Sequence, residues 1–476
     1  MLTPWALRSE RVVSATGEVG PAVIAIGADG RIERVGPHAP DARPVRDVGS
    51  RVVSPGLVDC HVHVNEPGRT DWEGYETATR AAAAGGVTTV VDMPLNCIPV
   101  TTTAAALALK LQACRGKCYV DMGFWGGVIP GNAAELSPLA DGGVLGCKAF
   151  LVHSGIDEFP NATREDLARA MPELHDAGLP LLAHAELDLG ASITCPDPRA
   201  YQGYLESRPT GWEDAAIAML IELCRETGCH VHVVHLSAAT SLPMLRAAKA
   251  EGLPISVETC PHYLCLEAES IPDGATLYKC APPIRGHANR EALWQGLLDG
   301  TIDFVITDHS PCTPHLKQLD RGHFHDAWGG IASLQLGLST LWTHARQRGA
   351  TLTDLARWTS SAPARFAGLG TRKGSIAPGY DADLVVWDPD EAFVLREDQL
   401  FFKHRVSPYL GMQLDGRVHA TVLRGVEVYD GRGHPAGAVG KLLLGRDRAV
   451  GRDGTPSRSA ARDARLALRR RSLALH

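Results

Sequence analysis

The chain has 476 residues, 45% hydrophobic and 21% charged, with a formal net charge of −7. That hydrophobic share excludes global disorder, and the length suits one large barrel or two packed domains. No apolar run approaches the roughly 18 residues of a membrane span, and residues 1–11 lack the basic start and apolar stretch of a secretory signal, so a cytoplasmic location with no membrane partner is expected.

The first fifty-odd residues hold short β-branched runs at 11–14, 22–26 and 31–35, broken by Gly and Pro, and the same texture returns at 382–387 and 420–429. Ends that look alike around a different middle predict a composite β-sandwich domain from residues 1–53 and 370–444. Between them, residues 54–369 alternate. Strand-like runs at 57–63, 87–93, 118–123, 145–152, 180–184, 230–235, 255–259 and 303–307 are interleaved with helical spacing at 72–84, 164–177, 213–226, 239–250 and 289–298. The runs are rich in Val, Ile and Leu, as when both sheet faces are buried. Eight such units predict an α/β fold, a (β/α)8 TIM barrel.

Residues 445–476 carry nine Arg against three Asp, a net of +6, which leaves −13 on the preceding 444 residues. This stretch has no aromatic residues for base stacking, so it is read as a disordered tail and no nucleic-acid partner is expected. The twelve Cys of a non-secreted chain do not suggest a disulfide framework. Cys114 with Cys118, and Cys260 with Cys265, lack the repeated two-residue gaps of structural zinc sites and read as small buried hydrophobes.

Barrel enzymes work at the C-terminal ends of their strands. The first run ends in His61-Val62-His63, and period-two alternation turns both imidazoles inward. The fourth carries Lys148, the fifth ends in His184, the sixth in His235, the eighth in Asp308, and the seventh runs on to His262. His230 and His232 fall earlier on their strand and His175 on a helix, so these three read as structural. Imidazoles and carboxylates together suit zinc or a similar divalent metal; cobalt, manganese and iron fit as well. Lys148 lies in the apolar run Gly146-Cys147-Lys148-Ala149-Phe150-Leu151. Burial beside a cation lowers a lysine's pKa and exposes the neutral amine, which adds carbon dioxide to give an anionic carbamate able to bridge two metals.

The run Ser54-Pro55-Gly56-Leu57-Val58-Asp59-Cys60-His61-Val62-His63, with Lys148, His184, His235 and Asp308, resembles the cyclic amidohydrolases, the group of dihydroorotases, hydantoinases and allantoinases. The likeness spans roughly residues 5 to 440, to which Gly379-Tyr380-Asp381-Ala382-Asp383-Leu384 belongs. It implies two divalent ions per subunit: one on His61 and His63, one on His184 and His235, bridged by carboxylated Lys148, with Asp308 on the first. It also implies a bridging hydroxide as nucleophile, Asp308 as general base and then general acid, and a homotetramer.

Dihydroorotases usually carry an Arg two residues past the His-x-His, where this chain has Asn65. Hydantoinases usually carry a Tyr five residues past the lysine, where it has His153. The segments from His61 to Thr70, Asp92 to Asn96, Phe150 to Pro160 and Thr307 to Cys312 are similar to allantoinases, above all His153-Ser154-Gly155-Ile156-Asp157-Glu158-Phe159-Pro160. The likeness implies a small cyclic ureide as substrate: allantoin, whose hydantoin ring is opened to allantoate. A hydantoinase acting on other cyclic amides is the alternative, and a non-catalytic assembly protein is disfavoured because all six ligand positions are filled.

The substrate contacts are read with their alternatives. His153 stands where an oxyanion partner belongs, or supports a ligand. Ser310 contacts the ring or forms a turn. His262 orients substrate or a ligand, or is a capped polar residue. Asn96 contacts substrate or, preferably, caps a helix from Thr102. Cys312 as a nucleophile is redundant beside a metal hydroxide.

Overall fold

Eight parallel strands form a closed ring: Leu57–Val62, Val87–Asp92, Asp121–Phe124, Cys147–Phe150, Leu181–His184, Val231–Val233, Ile255–Thr259 and Phe304–Val305. The computed structural model describes residues 2–445, and the Arg-rich tail lies outside them. The third strand is interrupted at Trp125 and resumes as Gly126–Gly127, which pairs with the fourth. The first strand meets the segment after the eighth through the Val62–His309 bridge, where the His63 amide donates to the His309 carbonyl at 2.8 Å. Nearly every strand residue is buried, which is why the runs read as continuous apolar stretches. The (β/α)8 barrel expected from them is the fold observed.

At least one helix follows each strand, and Arg164–Ala177 shows why such segments form. Thr163 accepts from the Asp166 amide at 3.2 Å while the Asp166 carboxylate accepts from the Thr163 amide at 3.0 Å, a reciprocal cap. Leu167, Ala170, Met171 and Leu174 make its buried stripe, and Gly178 ends it at φ 65. Helices Ala104–Cys114, Leu136–Gly142 and Gly337–Ala345 complete the ring although their spacing was not singled out. The sixth strand is shorter than its apolar run, and so is the eighth. His235 at φ 38 and Asp308 at φ 44 turn the chain off the sheet, which presents these two side chains at the barrel mouth.

Strands from both ends of the chain build one eight-stranded sheet. Its order is Val426–Tyr429, Gln413–Leu423, Leu384–Val394, Val52–Pro55, Trp5–Val13, Val19–Ile26 and Ile32–Gly36, with Val45–Asp47 also paired to Trp5–Val13. Alternation divides its residues between two cores. Val53, Leu384, Val386 and Val422 pack with Leu7, Ile24 and Ile32, while Val52, Val385, Trp387 and Leu423 turn the other way into the barrel's core. Beyond the sheet, Gly440 and Leu443 donate to the Cys118 and Met122 carbonyls, and the Met122 amide donates to Lys441, so this segment lies along the third barrel strand.

The Gly-Tyr-Asp-Ala-Asp run fastens the sheet to the barrel. The Lys373 ammonium, fully buried, lies 2.7 Å from Asp121 on the third barrel strand, 3.0 Å from Asp381 and 2.6 Å from Asp383. Arg424 pairs with Asp121, and Arg372 with Asp381 at 2.9 Å. These three carboxylates sit close enough to hold a cation, and Lys373, Arg424 and Arg372 already neutralise them. Lys373→Met is expected to cost about 3–5 kcal/mol, because it strands buried carboxylates without their partner; chemical denaturation reads it. Burial alone would raise the Asp121 carboxyl, but Lys373 and Arg424 hold it below its ordinary value. Its stabilisation is therefore present above the unfolded value near 4 and is lost as pH falls through the folded one. The gap between variant and wild type should narrow below about pH 4.

Candidate metal centre

The first strand places His61 and His63 on one side, and the left-handed turn after the eighth brings Asp308 to them. The Asp308 carboxylate lies 3.2 Å from His61 Nε2 and 3.7 Å from His63 Nε2. Across the mouth, His184 Nδ1 stands 3.0 Å from His235 Nε2. The His61 and His235 rings, 5.3 Å apart, join the two groups. Lys148 projects among them with its amine fully buried and without a hydrogen-bond partner among the described residues. Burial lowers its pKa to about 8, with Asp308 and Glu258 opposing. Burial, with the Lys148 charge adding to it, also keeps His61, His63 and His235 neutral, the form that ligates metals. It pushes the Asp308 carboxyl far above its ordinary value.

This donor set fits divalent metals. Glu258 Oε1 lies 2.5 Å from His61 Nδ1, and Glu186 Oε2 lies 2.6 Å from His184 Nε2. With the ring protons on those carboxylate-facing nitrogens, lone pairs point to the centre from His61 Nε2 and His184 Nδ1. Imidazole nitrogens that face the Asp308 carboxylate and one another, His184 Nδ1 toward His235 Nε2, beside a buried amine without a hydrogen-bond partner among the described residues, fit a site that holds cations. The six residues singled out from strand ends are thus brought together.

The carboxylates behind them were not read from the sequence. Glu258 also contacts His232 at 2.9 Å, and His232 in turn contacts Ser256 at 2.7 Å. Glu186 is gripped by Arg208, whose Nε donates at 3.0 Å. Each carried a signal: Glu258 interrupts a buried apolar strand, and Glu186 follows His184 by two residues.

The remaining candidates divide. His262, on the short helix Pro261–Cys265, is fully buried, and both ring nitrogens lack partners among the described residues. A ring nitrogen lies within 4.8 Å of Cys260 Sγ and Asp308, and burial lowers its pKa to about 3. Ser310 is buried, its amide donating to Ile331 at 3.0 Å. Asn96 does not cap a helix. The helix starts at Ala104 under Thr103, which accepts from the Ala106 amide, because a cap must directly precede the first turn. Asn96 instead sits at φ 71 with its amide 3.4 Å from His63 Nδ1. His153 stays outside the cluster. Its side chain is 60% exposed and held by its own loop, Nδ1 accepting from the Gly155 amide and Nε2 lying 3.4 Å from Asp157. All twelve cysteines are free thiols, and Cys312 is buried with burial raising its pKa.

A barrel of eight parallel strands with imidazoles, a buried lysine and an aspartate converging at its mouth defines a metal-dependent hydrolase. Residues 52–428 match the amidohydrolase family model, and the chain belongs to the amidohydrolase family. Within it, the chain is similar to curated allantoinases. That of Streptomyces avermitilis is 51% identical over 427 residues, 89% of this chain and 94% of the relative. That of Saccharomyces cerevisiae is 46% identical over 84% of this chain and 87% of its own. Among solved structures, the L-hydantoinase of Arthrobacter aurescens superposes with a TM-score of 0.85 at 27% identity, covering 92% of this chain and 99% of that one.

Proposed function

We infer that this chain opens the hydantoin ring of allantoin, a small cyclic ureide, to give allantoate. The observation that carries the reading is the 51% identity to an allantoinase across 89% of the chain. The cluster at the barrel mouth supports the chemistry. In this reading His61 and His63 hold one divalent ion and His184 and His235 a second, zinc before cobalt, manganese or iron. Lys148, once carboxylated by carbon dioxide, would help to hold both, and Asp308 would join the first. Ions so held supply Lewis acidity and acidify water near neutral pH.

The chain's own residues do the rest. Glu258 and Glu186 fix the tautomers of His61 and His184. Asp308 takes the proton of the attacking water and returns it to the ring nitrogen that leaves, a general base and then a general acid. Burial of the whole cluster keeps bulk water from competing. Ser310, Asn96, His262 and His153 are the substrate-contact candidates, and of these His153 is exposed and bonded to its own loop. A cytoplasmic homotetramer belongs to the same reading. Among the described residues no helix is long and apolar enough to cross a membrane.

Metal-loaded protein offered racemic allantoin, with hydantoin, dihydrouracil and dihydroorotate in parallel, is expected to form allantoate and to prefer allantoin. Faster turnover of hydantoin or dihydrouracil would move the substrate to the hydantoinases. No ring opening of any of the four would overturn the catalytic reading.

A further inference from the structure

Asn65 stands two residues past His63, is 1% exposed, and holds its backbone at φ 70. Its side-chain Nδ2 donates to the Pro311 carbonyl at 3.1 Å, so the amide links the loop after the first strand to the loop after the eighth. A carbonyl only accepts, and this fixes the orientation of the amide: Nδ2 faces Pro311 and Oδ1 is the atom left over. That Oδ1 is buried and has no hydrogen-bond partner among the described residues. A buried acceptor left empty costs about 1–3 kcal/mol, and the left-handed backbone is one that asparagine adopts more readily than most residues. Arg69 holds the conformation in place. Its amide donates to the Asn65 carbonyl at 3.1 Å, and its guanidinium donates to the Asn96 carbonyl and to Glu158, each at 3.0 Å.

We propose that Asn65 Oδ1 is a specificity-determining acceptor that takes an N–H of the substituent carried by the substrate ring. The proposal rests on the function inferred above. A ring whose carbonyl meets the cluster at the strand ends directs its substituent outward, toward the loops that Asn65 and Pro311 join. A ureido substituent carries three N–H bonds, whereas unsubstituted hydantoin has only its ring N–H groups. A site with a fixed, desolvated acceptor discriminates against the analogue that leaves it unpaired.

The test compares kcat/KM for allantoin and for unsubstituted hydantoin in the metal-loaded wild type, Asn65→Gly and Asn65→Asp. Glycine removes the acceptor and tolerates φ 70; aspartate tolerates the same backbone and keeps an oxygen. The expected result for Asn65→Gly is a fall of at least about tenfold in the allantoin-to-hydantoin ratio, borne mainly by KM for allantoin, with metal content retained. Asn65→Asp should retain more of the preference than Asn65→Gly. Equal losses on both substrates, or an unchanged ratio in whichever variant folds, overturn this assignment while leaving allantoin as the substrate. A wild type that opens hydantoin but not allantoin overturns the inferred function and this assignment together.

Discussion

Replacing Lys148 with alanine is expected to abolish metal retention and to lower kcat/KM for allantoin by at least about a thousandfold. The amine is fully buried, has no hydrogen-bond partner among the described residues, and stands among four imidazoles and one carboxylate. An ordinary structural lysine in that position is a poor candidate. Buried lysines elsewhere in the chain are satisfied: Lys373 by three carboxylates, and Lys110 by Asp92 at 2.9 Å and the Met93 carbonyl at 2.5 Å. What suits Lys148 is chemical conversion. Its lowered pKa, about 8, leaves an appreciable neutral fraction near pH 7–8. In the inferred function that amine takes up carbon dioxide, forming a C–N bond and releasing one proton, so that an anion would stand where the ammonium stood. Alanine removes the anion and leaves a space. Short carboxylic acids supplied in solution should therefore restore part of both metal content and turnover in Lys148→Ala. Metal analysis of the purified variant, with and without acetate or propionate, checks the claim; full activity without rescue would remove Lys148 from the centre.

How much was legible in the sequence follows from how local each feature is. The barrel could be read because a strand buried on both faces must be apolar along its whole length, and the lengths of the intervening segments suit one helix each. The strand ends could be read because alternation is a two-residue rule, and His61 and His63 obey it within three positions. Features that depend on pairing between distant segments were not legible. Glu258 meets His61 across 197 residues of chain, and Lys373 meets Asp121 across 252; neither separation leaves a local pattern. Loop conformation was equally hidden. Nothing near His153 announces that its ring would bond to Gly155 and Asp157, and nothing near Asn96 announces that Thr103 would take the cap. The left-handed turns at His235 and Asp308 were hidden for the same reason. They end the sixth and eighth strands early, and they aim the two side chains at the centre of the site.

Asp308→Asn is expected to leave the fold and most of the metal in place while lowering kcat by about 10²- to 10⁴-fold, the usual worth of a positioned general acid–base group. Asparagine suits this test for a conformational reason. Asp308 sits at φ 44, and asparagine adopts that region readily whereas alanine does not, so a loss of rate cannot be assigned to backbone strain. The amide still offers an oxygen to the centre near His61 and His63, but it cannot accept a proton and hand it on. The proton of the attacking water then has no carrier, and the leaving nitrogen has no donor. Because ground-state contacts change little, KM for allantoin should stay within a few-fold and the defect should appear in kcat. Lys148→Ala should behave in the opposite sense, losing metal and activity together. The two variants thus separate the group that builds the centre from the group that moves the proton. An Asp308→Asn protein with unchanged kcat would take Asp308 out of the proton transfer and pass the role to another buried group at the mouth, of which His262, with both ring nitrogens unpartnered among the described residues, is the nearest in kind.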